Sequence, residues 1–226
     1  AKFFPKNKST LPIFIKGSNT LSPINYLEKK GSAQCKSSVM YAALNTPGKT
    51  FIKAKKSRDH TEILFKNLNI PIKIKKGKKY DFIKLEGKKN IRPFNYNIPS
   101  DISSSAFFIV LTLLAKKSSL IIKNVNVNPS RIGVVTILNK MGAKIKLKNK
   151  KTYKGEKIAD IYVKSMESFK AINCPVRLNS SAIDEFLIIF LIAARSNGVS
   201  SFKGLSELNQ KESPRLKLGS KILNMM

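Results

Sequence analysis

Apolar and polar positions follow two periods along this chain, and the switch between them recurs. Val39-Met40-Tyr41-Ala42-Ala43-Leu44 is an apolar helical run. It stops at Pro47-Gly48, a short strand follows at 50–53, and Ser57-Arg58-Asp59-His60 leads into a helix around 63–68. A second copy has an apolar helix at 107–115, Lys116-Lys117, a strand at 119–123, then Asn128-Pro129-Ser130-Arg131 and a helix at 134–141. The third has a helix at 186–194, Asn197-Gly198, a strand at 200–203, then Lys211-Glu212-Ser213-Pro214-Arg215 and the start of a further helix. Corresponding positions lie about 70 to 84 residues apart, too far for a solenoid repeat. The pattern predicts an α/β protein in which one unit of helices and strands is used several times.

Local periodicity supports these elements. Ile63, Leu64 and Leu68 are predicted to share one helix face, and Val134, Ile137, Leu138 and Met141 another. Gly142 stands where a helix-ending glycine belongs. Ile72-Lys73-Ile74-Lys75 and Lys144-Ile145-Lys146-Leu147-Lys148 alternate as half-buried strands, and 148–154 reads as an exposed hairpin tip. The stretch 92–99 carries Pro93 and Pro99 and reads as a connection. It divides the chain into two expected domains, 1–97 and 98–226.

A chain of 226 residues with 42% hydrophobic residues can pack a core. Its longest apolar runs, 107–111 and 186–194, are too short to span a bilayer. The opening Ala1-Lys2-Phe3-Phe4-Pro5 lacks a signal-peptide plan, so a soluble, cytoplasmic protein with no membrane partner is expected. Cys35 and Cys174 are far apart and His60 is the only histidine, so no disulfide framework and no metal site are expected.

The formal net charge of +30 admits a basic nucleic-acid-binding protein. The discriminator would be a clustered basic face with interleaved aromatics. Lysines such as Lys73, Lys75, Lys76, Lys144, Lys146 and Lys148 are instead scattered in sequence and form no single stripe. Only six of the 43 basic residues are arginine, and Lys, Asn and Ile are heavily used, as AT-rich codons would give. Solvated charged faces, and no nucleic-acid partner, are therefore expected. The positive field would still draw in small anions.

Three site-like segments, 31–37, 98–106 and 211–215, carry candidate chemistry together with Arg58, His60 and Asp184. Gly31-Ser32-Ala33-Gln34-Cys35-Lys36-Ser37 precedes an apolar helix, so it is either a plain N-cap or a cradle of N–H groups and hydroxyls for phosphate. Arg58 could clamp a phosphate or carboxylate, or pair with Asp59 or Glu62 on the surface. His60 has the type for acid–base work, but a histidine at a helix start is more often structural. Asp101, before three serines, has the position of an N-cap. Asp184 precedes an apolar helix and could simply complement its dipole. Lys211, Glu212 and Arg215 are either a solvated cluster or a site; were the segment helical, Lys211 and Arg215 would share a face.

Nine segments, in order, resemble the 5-enolpyruvylshikimate-3-phosphate (EPSP) synthase family, the 3-phosphoshikimate 1-carboxyvinyltransferases. They are Leu21-Ser22-Pro23-Ile24-Asn25-Tyr26, Ser32-Ala33-Gln34-Cys35-Lys36-Ser37, Arg58-Asp59-His60-Thr61-Glu62, Asp101 with Ser103-Ser104-Ser105-Ala106-Phe107-Phe108, and Asn128-Pro129-Ser130-Arg131. Met141-Gly142-Ala143, Ala159-Asp160, Ile183-Asp184-Glu185 and Lys211-Glu212-Ser213-Pro214-Arg215 complete the series. The Ser32-Ala33-Gln34 and Arg58-Asp59-His60 patterns favour this family over UDP-N-acetylglucosamine enolpyruvyl transferase, which shares the fold.

The resemblance implies repeated βαβαββ units in two domains that close on a cleft. It also implies an internal fragment with both domains incomplete: residues 1–97 would be the remainder of the N-terminal domain and 98–226 the first part of the C-terminal one. The implied activity transfers the enolpyruvyl group of phosphoenolpyruvate to the 5-hydroxyl of shikimate 3-phosphate and releases phosphate. That step belongs to the shikimate pathway to chorismate and the aromatic amino acids. The family needs no cofactor, and a monomer is expected when the chain is complete. Ser32, Ala33, Gln34, Ser57, Arg58, Asp184 and Lys211 would bind shikimate 3-phosphate; Gln34 and Arg215 would bind phosphoenolpyruvate; Asp184 and Glu212 would be catalytic. The isolated chain is expected to turn over little. Three positions depart from the family pattern: Ser100 replaces a Gly, Asn209 an Arg and Pro214 an Asp.

Overall fold

Residues 2–4, 11–88 and 90–225 are described by the computed structural model. A short antiparallel pair, β1 (Lys2–Phe4) with β2 (Phe14–Lys16), comes first. The first module then runs β3 (Asn25–Glu28), α1 (Ala33–Leu44), β4 (Lys49–Lys55), α2 (His60–Asn67), β5 (Ile72–Lys75) and β6 (Tyr80–Glu86). Packing groups the chain into two compact units, residues 1–55 with 68–92 and residues 56–67 with 93–226. Sequence pattern puts its one boundary at 97/98; packing assigns 93–97 and the whole of α2 to the second unit.

In the first unit the strands lie in the order β3-β4-β6-β5, with β3 and β4 parallel and the other pairs antiparallel. Strand periodicity does the sorting. Thr50, Ile52 and Ala54 of β4 point inward, while Lys49, Phe51, Lys53 and Lys55 are exposed on the opposite face. The inner face packs on α1, whose Met40 and Ala43 are buried. Lysines distant in sequence thereby gather on one sheet face.

The second unit repeats the topology. Ser100 leads into α3 (Ile102–Leu114), β7 (Ser119–Asn126), α4 (Gly133–Lys140), β8 (Lys146–Tyr153) and β9 (Glu156–Lys164). Ser100 bridges Val125 of β7 in parallel, and the order continues β7-β9-β8 with antiparallel pairing. This is the strand order of the first module, so the internal repeat read from the sequence is real. The predicted face of α4 is confirmed: Val134, Ile137, Leu138 and Met141 are fully buried, and Gly142 ends the helix at φ +101°. In α2, by contrast, Glu62 and Phe65 are the buried residues; Ile63 and Leu64 of the predicted face are half-buried, and Leu68 lies beyond the last helical residue, Asn67. The one phenylalanine on this eight-residue helix takes the interior position. The segment 148–154 is mostly strand: β8 continues to Tyr153, and only Lys154 and Gly155, both at positive φ, form the turn.

The third module is shorter. It has β10 (Phe169–Lys170), β11 (Asn173–Cys174), α5 (Phe186–Ala194), β12 (Ser196–Asn197), β13 (Ser201–Phe202) and α6 (Arg215–Met225). Both its strand pairs, β10 with β12 and β11 with β13, are parallel. Helix α5 is apolar on every side because α3, α4 and α6 all pack against it.

Candidate active site

Corresponding points of the three modules supply the charges of the site. Arg58 precedes α2, Arg131 precedes α4, and Arg215 begins α6. All three lie in the second unit.

Asp184 is the centre of the cluster. Its Oδ2 accepts a short hydrogen bond from Arg58 Nη2, and its Oδ1 one from Arg215 Nη1 at 3.1 Å. Burial pushes the Asp184 pKa up, but the Arg58 hydrogen bond and charge, with Lys211 and Arg215, hold it below the ordinary carboxylate range. Asp184 is therefore ionised at neutral pH. It makes no helix cap; Glu185 occupies the cap position of α5 without a side-chain cap bond.

Arg215 spans two carboxylates, its Nη2 lying 2.9 Å from Glu212 Oε2. Glu212 is exposed, and its own backbone N–H together with Arg215 lowers its pKa. Lys211 Nζ pairs with Glu207 Oε1 at 3.2 Å. The segment is not helical between Lys211 and Pro214. A 3-10 helix, Ser206–Gln210, ends at Lys211, and α6 starts afresh at Arg215. Pro214 stands at the N-cap of α6, its carbonyl accepting from Leu218 N–H at 3.0 Å, where a missing N–H costs the helix nothing. Asn209 Oδ1 accepts from Leu216 N–H at 3.0 Å and Lys217 N–H at 3.2 Å.

Ser57 Oγ is buried with no hydrogen-bond partner among the described residues, so beside Arg58 it remains available to a ligand oxygen. His60 is occupied structurally on one side, with Nδ1 2.6 Å from Glu156 Oε1. Arg58 pairs with the distant Asp184, and Asp59 accepts from Asn128 Nδ2 at 3.0 Å.

A second network continues from the first and was not legible as a site in the sequence. Ser103 donates a short bond to Glu185 Oε1 and accepts from Arg131 Nη2 at 2.7 Å. Arg131 also pairs with Asp101 Oδ1 at 2.7 Å. Asp101 keeps its capping role, Oδ2 accepting from Ser104 N–H at 2.7 Å. Burial raises the Glu185 pKa, and Ser103 only partly offsets this. The equivalence of Arg131 to Arg58 and Arg215 in the repeat was the signal that could have found it.

Ser32, Ala33 and Gln34 belong to the first unit and form the N-terminus of α1. Ser32 Oγ caps the helix by accepting from Cys35 N–H at 3.1 Å, and the first turn carries no acidic residue. Glu28 fixes the approach by accepting from Lys30 N–H at 2.8 Å and Gly31 N–H at 2.7 Å. Lys36 is only 2% exposed, so the lysine of this segment faces the interior. The cradle reading rests on Ser32, Ala33 and Gln34 alone.

Repeated βαβαββ modules with an ionised aspartate among arginines and a lysine define an enolpyruvyl transferase-like protein. The fold is shared with the enolpyruvyl transferase NikO from Streptomyces tendae, at 14% identity and a TM-score of 0.59 over 80% of this chain and 44% of that one. The chain belongs to the EPSP synthase family, whose model, described as EPSP synthase (3-phosphoshikimate 1-carboxyvinyltransferase), matches residues 3–226. It is 39% identical over 206 residues to the 3-phosphoshikimate 1-carboxyvinyltransferase of Legionella pneumophila (strain Corby), covering 91% of this chain and 46% of that protein. It is 41% identical over 213 residues to the enzyme of that name from Ruthia magnifica subsp. Calyptogena magnifica, covering 94% and 48%. An EPSP synthase structure from Acinetobacter baumannii superposes with a TM-score of 0.83 at 35% identity, over 97% of this chain and 49% of that one. The chain thus spans about half the length of the relatives it matches.

Proposed function

We propose that this chain carries part of the active site of a 3-phosphoshikimate 1-carboxyvinyltransferase. The observation that carries the reading is Asp184, held ionised between Arg58 and Arg215 with Lys211 adding charge. Such a group suits acceptance of the proton from the 5-hydroxyl of shikimate 3-phosphate as that oxygen bonds to C2 of phosphoenolpyruvate. Ser32, Ala33, Gln34, Ser57, Arg58 and Lys211 are the proposed contacts for shikimate 3-phosphate. Gln34 and Arg215 are those for phosphoenolpyruvate. The orphan hydroxyl of Ser57 and the acid-free first turn of α1 suit an anionic ligand.

Glu212 is the proposed acid for the methylene carbon of phosphoenolpyruvate. Alone it is held anionic by its own backbone N–H and by Arg215. A substrate anion that draws Arg215 away removes the Arg215 hydrogen bond and adds a nearby negative charge. Both changes raise the Glu212 pKa and let it carry a proton. Glu212 gives that proton to the methylene as the C2–O bond forms. It takes a proton back from the resulting methyl group as phosphate leaves, and Asp184 passes the hydroxyl proton to the departing phosphate, so the cycle closes on the enolpyruvyl ether and free phosphate.

Residence in the cytoplasm as a monomer is part of the proposal. Among the described residues no helix is long and apolar enough to cross a membrane. The 226 residues alone should turn over little. The test is phosphate release from phosphoenolpyruvate, with and without shikimate 3-phosphate, by a polypeptide of full family length containing this chain. Release that requires both substrates and drops at least a hundredfold in Glu212→Gln is expected. A folded polypeptide that releases none, or releases it equally without shikimate 3-phosphate, refutes the reading.

A further inference from the structure

The outer face of the first unit's sheet has no role in the proposed transferase chemistry, and it is the basic face that the sequence alone did not reveal. Lys49, Lys53, Lys55, Lys73, Lys75 and Lys84 project from it, against the single carboxylate Glu86. Its two central strands carry the aromatics: Phe51 on β4, and Tyr80 and Phe82 on β6. Phe51 and Phe82 are each 46% exposed, far more than a core phenylalanine. Cross-strand register interleaves the two residue types, with Phe51 opposite Lys84, Lys53 opposite Phe82 and Lys55 opposite Tyr80. Phe51, Lys53, Phe82 and Lys84, with Leu27 and Lys73, line an open groove of about 600 Å³.

We propose that this face binds single-stranded nucleic acid. Charge complementarity selects a polyanion, since six lysines surround one glutamate. The rings select among polyanions. An acidic protein surface or a vesicle offers nothing that needs two exposed phenylalanines on the central strands, whereas unpaired bases stack on such rings. A duplex keeps its bases paired and withholds those faces. Lys84 Nζ lies 5.5 Å from the Phe51 ring centre, and Lys53 Nζ lies 5.1 Å from that of Tyr80 and 5.7 Å from that of Phe82. Each ammonium thus already stands beside a stacking surface, placed to move onto the phosphate of a base that covers the ring. Successive outward rungs are about 7 Å apart along a strand, so Phe51 and Phe82 would hold neighbouring bases unstacked from each other.

The test is fluorescence anisotropy of a labelled oligouridylate titrated with the whole chain at several salt concentrations, without transferase substrates. Saturable binding that weakens with salt is expected. Phe51→Ala with Phe82→Ala should weaken it tenfold or more at unchanged salt slope. Lys53→Gln with Lys84→Gln should reduce the slope by about 1.4. Phe51→Trp with Phe82→Trp keeps the stacking surfaces and should bind at least as tightly, which separates lost stacking from lost folding. Absence of binding at low salt overturns the proposal. So do equal competition by double-stranded RNA or polyglutamate, wild-type affinity in the double alanine variant, and weakened binding in the tryptophan variant. None of these outcomes bears on the transferase reading.

Discussion

Asn209 supplies the N-cap of α6 that Pro214 has no side chain to provide. Its Oδ1 accepts from the second and third N–H groups of the helix, those of Leu216 and Lys217. An aspartate at 214, the usual residue of the family pattern, would reach the same two groups. The departures at 209 and 214 therefore compensate each other. Asn209→Ala should cost about 1 kcal/mol in urea denaturation and speed amide exchange at Leu216 and Lys217. Pro214→Asp in that background should recover most of the loss. Additive effects of the two changes would refute the coupling.

Asp184 gives the second unit a pH dependence of predictable sign. Its folded pKa lies below the unfolded value, so it contributes stability that is fully present above about pH 4 and is lost as pH falls toward the folded pKa. Thermal melts of wild type and Asp184→Asn should differ at pH 6, and the gap should narrow as pH falls below about 4. A gap of constant size from pH 6 down to the acid limit of folding would mean that the carboxylate's charge is not its source.

Asp160 stitches two bulges to the central strand β9. The register slips between Ile122 and Val125 in β7 and between Lys148 and Lys151 in β8. Asp160 accepts from Asn124 N–H at 2.9 Å on one side and Asn149 Nδ2 at 2.8 Å on the other. Those bonds, aided by Lys123, bring its pKa down to about 2. Carboxyl NMR should find that value, and Asn149→Ala should raise it toward the ordinary range. The associated stability is complete above about pH 4 and disappears as pH falls to about 2.

Gly133 opens α4 directly against the 3-10 helix Val176–Ser181. A Cβ there would stand 2.7 Å from the Ser181 carbonyl carbon and oxygen. Alanine gains about 1 kcal/mol of helix propensity. Overpacking against backbone costs about 3 kcal/mol. The clash wins, and Gly133→Ala should lower stability by about 2 kcal/mol in urea titrations.

Much of this was legible in the sequence because the repeat restricts the choices. The α4 face, the helix-ending Gly142 and the strand β5 follow from periodicity alone. The buried face of α2 did not, because one phenylalanine outweighs a pattern only eight residues long. The break at Lys211 was hidden because Pro214 can equally begin a helix or precede one. Arg58 and Asp184 are 126 positions apart, and no local pattern pairs them. The lysine face was invisible for a similar reason: its members come from three strands that meet only through pairing.

The assignment of α2 to the second unit determines how the protein can be dissected. Packing passes from one unit to the other at 55/56, 67/68 and 92/93. A truncation that starts at Pro93 would look like a clean separation, yet it would discard Arg58, Asp59 and His60. Asp184 would lose its shortest ion pair and Glu156 its imidazole. A study of halves made by a single cut would therefore measure damaged pieces. A faithful second unit has to carry residues 56–67 with it, by circular permutation or by co-expression of the segment.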